Sequence, residues 1–99
     1  MSLTTKGWKN KKGTGERSCR CGSWKQHWLN FSDKRWPATC SVAGCNNSAM
    51  LGAHIFNCNE SGEYIVPACE CCNKLDSEFD LKASITLVSA NKSKTCEKN

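Results

Sequence analysis

A small α+β domain stapled by a metal ion is the fold class this sequence predicts, and three observations predict it. Two cysteine pairs, Cys40-x4-Cys45 and Cys69-x2-Cys72, have 23 residues between them in a chain of 99. Between them, two β-rich runs flank a polar turn. Outside them, Trp24, Trp28 and Phe31 recur at helical spacing, while Leu81, Ala83, Ile85 and Leu87 alternate with polar residues. The prediction is a β-hairpin with a helix, plus an additional N-terminal helix and a C-terminal strand.

Residues 1–18 are predicted to be a flexible basic arm. Thr4 to Ser18 are rich in Lys, Gly and Thr, with one aromatic, Trp8, and no periodicity. Residues 1–20 hold Lys6, Lys9, Lys11, Lys12, Arg17 and Arg20 against Glu16, which accounts for the whole net charge of +5. These six cations are the candidate contacts to nucleic acid, because phosphate binding rests on Lys and Arg. The plainer reading is a solvated tail that keeps the domain soluble.

Residues 19–99 are predicted to be a single domain with a small core. Ser23 and Gln26 have capping-box spacing, so a short helix is expected through Phe31, with Trp24, Trp28 and Phe31 on one apolar face. Asp33 and the Trp36-Pro37 pair close it, since the residue before a proline is driven out of helical geometry. Cys40 to Cys45 reads as a turn, with Gly44 free to take positive φ. Ala49 to Phe56 and Glu63 to Val66 read as strands joined by a hairpin loop, and Pro67 ends the second. A second helix is expected from Cys69 to about Phe79, then a half-buried strand over 81–87. The tail from Ser89 is polar except for Cys96.

The chemistry lies in the cysteines. Nine of them, behind no apolar leader segment, favour metal ligation over disulfides and a cytoplasmic or other reducing compartment. No run is long and apolar enough to span a membrane. A turn offering Cys40 and Cys45, a hairpin, and a helix start offering Cys69 and Cys72 make the layout of a treble-clef zinc site. Four thiolates leave no position for water, so this zinc would be structural. They also leave a local charge of about −2, which Lys74 is placed to offset. Cys71 points away from the same ion and is expected as a thiol packed in the core or against the metal ligands. Cys19-Arg20-Cys21 offers half of a second zinc site, completed by Cys58, Cys96, His27 or His54; Cys19, Cys21 and Cys96 are the favoured set, against a reading of buried free thiols.

A longer pattern spans residues 40–74. It comprises Cys40 and Cys45, then Gly52-Ala53-His54-Ile55, then Tyr64-Ile65-Val66-Pro67-Ala68-Cys69-Glu70-Cys71-Cys72-Asn73-Lys74. This third of the chain resembles the HNH (ββα-metal) nuclease core in its zinc-stapled form. The resemblance implies His54 as the base that activates water against a phosphodiester, and Asn73 as a holder of a catalytic Mg²⁺ or Mn²⁺. Ala53 stands where the family carries an acidic residue, and no asparagine precedes Ile65, so two implied roles are empty. The plainer role for His54 is a hydrogen-bonded core residue.

Three functions follow. The first is a zinc-stabilised module binding DNA or RNA through the basic arm, with tryptophans available to stack on bases where exposed. The second is a metal-dependent endonuclease using His54. The third is a small protein-interaction or regulatory module whose zinc only holds a surface together.

Overall fold

A computed structural model of the chain describes residues 4–11, 24–83 and 85–90. In chain order its elements are β1 (Trp8–Asn10), α1 (Trp24–Ser32), β2 (Leu51–Asn57), β3 (Glu63–Ala68), α2 (Glu70–Asn73) and β4 (Val88–Ser89). The β-rich runs pair as a hairpin, with Leu51 opposite Ala68 and Phe56 opposite Glu63. That hairpin is the centre of a four-stranded antiparallel sheet of order β1-β2-β3-β4.

Side chains alternate across a strand, so the hairpin serves two layers. Ala53, Ile55, Val66 and Ala68 face one core together with Trp8, Cys40, Phe79 and Leu81. Ile65 and Val88 face the other, where Trp28 of α1 covers them. The sheet therefore lies between α1 and the cysteine-bearing loops. Gly52 sets the spacing of the first two layers: a Cβ there would stand 2.6 Å from the Trp24 carbonyl carbon and 2.8 Å from the Lys25 nitrogen.

The buried face of α1 differs from the expected one. His27 and Trp28 are buried, whereas Phe31 is 43% exposed. Polar partners explain the exchange: His27 Nε2 lies 2.8 Å from the Ser89 carbonyl oxygen, and Trp28 Nε1 donates to the Thr86 carbonyl at 2.9 Å. Ser23, half of the expected capping box, lies outside the described residues; Gln26 Nε2 donates to Asn30 Oδ1 at 2.9 Å. Asp33, at φ 58°, turns the chain out of the helix.

The described part of the expected arm, residues 4–11, is built into the domain. Trp8 is 0% exposed, and β1 pairs with β2 from Trp8 opposite Asn57 to Asn10 opposite Ile55. Trp8 also exchanges backbone hydrogen bonds with Phe79, at 2.9 and 2.8 Å. Burying the largest apolar side chain outweighs the glycines and lysines around it. Residues 12–18 lie outside the described residues.

The expected second helix is cut to Glu70–Asn73. Asn10 Nδ2 takes the carbonyls of Cys72 and Leu75, at 2.8 and 3.0 Å, and the chain beyond straightens so that Phe79 can cover Trp8. The expected strand over 81–87 is likewise divided. Leu81 bridges Val42 on the cysteine side, and the pairing with β3 is made at Val88–Ser89, past the expected span. Pro67 lies within β3 rather than after it. Its carbonyl accepts from the Ser41 N–H, so its missing N–H falls on the side away from β2, beyond the end of β4.

Candidate metal centre

Two backbone devices bring four sulfurs to one point. The first is a knuckle closed by the Thr39–Ser48 bridge, in which the Cys40 N–H donates to Asn47 O at 2.9 Å and the Cys45 N–H to Val42 O at 3.0 Å. Gly44 sits in it at φ 82°, a conformation that side chains other than glycine's rarely adopt. The second is the start of α2. Cys69 is its N-cap, and the Cys69 sulfur accepts from the Cys72 N–H at 3.4 Å.

The Sγ atoms of Cys40, Cys45, Cys69 and Cys72 all lie within 4.8 Å of one another, so the cluster can hold a metal ion. A tetrahedral site with bonds of ~2.3 Å has sulfur–sulfur edges of about 3.8 Å. The Cys45–Cys69 edge is already 3.7 Å, and the widest needs to close by only about 1 Å. Cys40 and Cys69 are buried; Cys45 and Cys72 are partly so.

Protons are unevenly shared in this cluster. Burial pushes the Cys40 thiol up, opposed by the N–H groups of Val42 and Cys69. Burial would raise Cys69 too, but the Cys72 N–H and hydrogen bonds from Cys72, Asn47 and Cys45 outweigh it and bring it down to about 6. Burial and the hydrogen bonds it makes to Cys69, Cys45 and Cys40 push Cys72 up. Cys69 is thus the sulfur that loses its proton most readily, while Cys40 and Cys72 hold theirs more tightly than a free thiol does.

Several supporting groups are absent from the sequence reading. Asn47 Nδ2 lies 3.8 Å from the Cys69 sulfur; an amide two residues past a knuckle cysteine is the signal that could have found it. Lys82 Nζ donates to Cys45 O at 2.7 Å and to Thr39 Oγ1 at 3.3 Å, placing a cation beside the cluster. The expected cation, Lys74, instead pairs with Glu70 at 3.2 Å in solvent. Cys71 is exposed, not packed, as is Cys58. Cys19, Cys21 and Cys96, the expected second site, lie outside the described residues.

His54 sits on the other face of the sheet from the sulfurs. Its side chain is 3% exposed, its Nε2 lies 2.5 Å from Glu63 Oε1, and the Trp24 ring packs edge-on at 5.0 Å. Glu63 places a carboxylate beside His54 that Ala53 cannot supply. Hairpin register could have found it: His54 stands opposite Ile65, so Glu63 is its diagonal neighbour on one face. Asn73 belongs to α2, on the sulfur side, where Asn10 holds that helix by the Cys72 carbonyl. The sheet separates the two residues that the nuclease resemblance would join.

The candidate phosphate contacts also divide. Lys6 is exposed and Lys9 half-buried on β1. Lys11 lies 3.8 Å from Glu63 and 5.7 Å over the Phe56 ring. Lys12, Arg17 and Arg20 lie outside the described residues. Among those residues, no helix is long and apolar enough to cross a membrane. No family model, curated protein or solved structure matches the chain.

Proposed function

We propose that this chain is a zinc-stabilised, treble-clef-like module whose ion is structural and whose basic N-terminal segment binds nucleic acid. The observation that carries it is the convergence of four cysteine sulfurs within 4.8 Å. An all-thiolate, four-sulfur set favours a tetrahedral ion of zinc's softness and leaves no position for a reacting water. The order of knuckle, hairpin and helix start supports the treble-clef description. The nucleic-acid part is supported by charge, since the net +5 is confined to residues 1–20 and Lys6 remains exposed. No hydrolytic role is given to His54, because its ring is enclosed by Trp24 and committed to Glu63.

Metal analysis of the purified protein tests the first part. About one zinc per chain is expected in the wild type and in Cys71→Ser, and none in Cys69→Ser. A wild-type chain that binds no metal overturns it. Titration of a single-stranded oligonucleotide at several salt concentrations tests the second. The affinity should fall with salt by a logarithmic slope of about −0.7 per phosphate contact, and more shallowly in Lys6→Ala/Lys9→Ala. Salt-independent binding overturns the nucleic-acid reading and leaves a protein-interaction module.

A further inference from the structure

The knuckle and the start of α2 present their sulfurs unequally to solvent. Cys45 stands between Gly44 and Asn46, both exposed, and is itself partly exposed. A Cβ added at Gly44 would meet nothing within 4 Å, so this stretch of the knuckle has room to move. The Cys45 carbonyl is held by Lys82 Nζ at 2.7 Å, the end of a flexible side chain that can follow it. Cys69 is buried, and its sulfur lies 3.7 Å from that of Cys45.

The other thiols are less well placed to react. Cys40 is 0% exposed, with its N–H on Asn47 O at 2.9 Å. Cys72 is fixed in α2 by Asn10, which donates to its carbonyl at 2.8 Å. Cys71 is exposed but is not among the converging sulfurs. Cys58, also exposed, follows the end of β2, whereas Cys69 follows the end of β3. The antiparallel hairpin therefore separates the two by about 20 Å, at ~3.4 Å per residue.

We propose that the metal centre is also a redox switch, in which hydrogen peroxide joins Cys45 to Cys69 and the ion is released. This rests on the structural-ion reading above and adds its regulation. The Cys45 thiolate attacks the peroxide, the O–O bond breaks, and the sulfur becomes a sulfenic acid as hydroxide leaves. The Cys69 thiolate then attacks that sulfur from 3.7 Å; the S–S bond forms and a second hydroxide leaves. Two thiolates have supplied two electrons, and one peroxide has become two hydroxides. A disulfide of about 2.05 Å requires this edge to shorten by roughly 1.6 Å, a movement within reach of the knuckle loop. Cys40 and Cys72 then remain, half of a tetrahedral set. A dithiol reductant reverses the step by exchange at the disulfide, itself becoming oxidised.

Cys45→Ser and Cys69→Ser would each remove a zinc ligand, so the test uses the full wild-type chain and Cys58→Ser/Cys71→Ser. Both are loaded with zinc and titrated with hydrogen peroxide, and released zinc is read with a chromogenic chelator against a control without peroxide. Release should reach about one zinc per chain in both proteins. After alkylation, cleavage at Glu63 and Glu70 isolates Cys69 on a peptide with no other cysteine, and that peptide should be found linked to Cys45. Excess dithiol with fresh zinc should restore the metal content. Zinc retained in the presence of peroxide, or lost with any other linkage or none, overturns the proposal. A wild-type chain that binds no zinc overturns the structural-ion reading instead. Linkage of Cys45 to Cys69 in that metal-free chain would still support the pair assigned here, and its absence would overturn both.

Discussion

At the residue scale, the four sulfurs differ most in how they hold their protons. Cys69 is already brought down to about 6, whereas Cys40 and Cys72 are raised. Metal binding must displace the protons of the last two at neutral pH, so affinity should climb with pH. Below pH 6 the proton on Cys69 must be displaced as well. We expect the slope of log affinity against pH to steepen by about one unit as pH falls through 6, which chelator competition across that range would measure. The sign carries over to stability: support supplied by the ion is present above that range and lost on acidification. A slope that is constant through pH 6 would contradict the proton distribution described. The four clustered cysteines are legible in the sequence because two close pairs on a turn and a helix start can bring their sulfurs together. Asn47, Lys82 and Glu63 are not, since each reaches its partner through the path of the folded chain.

At the element scale, two positions decide how the layers assemble. Gly52 lets the start of α1 lie directly on β2, and its nearest neighbours are backbone atoms that cannot rotate aside. Gly52→Ala should therefore cost about 3 kcal/mol, the upper end for overpacking, and shift Trp24 away from His54. A denaturant midpoint and tryptophan fluorescence would show both effects. Trp8 fastens β1, β2 and the Phe79 segment together at 0% exposure. Trp8→Ala should cost about 3–5 kcal/mol, read from the same denaturation curves. A change below about 1 kcal/mol would mean that residues 4–11 do behave as an arm. The hairpin is legible from its β-formers and polar turn. The short α2 is not, because what ends it is the side chain of Asn10, about sixty residues earlier.

At the scale of the whole molecule, stability rests on two small cores joined by one sheet. One core centres on Trp28, Ile65 and Val88; the other includes Cys40 and Cys69 themselves. A structural zinc ion supplies on the order of 10 kcal/mol of apparent binding free energy. That is comparable to the entire stability of a typical domain, about 5–15 kcal/mol. Chelation under reducing conditions should therefore unfold the chain cooperatively, with loss of the sheet signal in far-UV circular dichroism. Re-addition of zinc should restore it. Retention of the native spectrum after complete metal removal would show that the apolar cores suffice alone.

What the sequence determined by itself was local: cysteine spacing, the β-rich runs, the helical recurrence of tryptophans and the placement of charge. Each depends on residues close in the chain, where geometry permits few outcomes. The tertiary structure decided which face of each element was buried. It placed Trp8 in the core and turned His54 away from the sulfurs and toward Glu63. Those outcomes depend on contacts between distant segments, where burial of large side chains outweighs local preference.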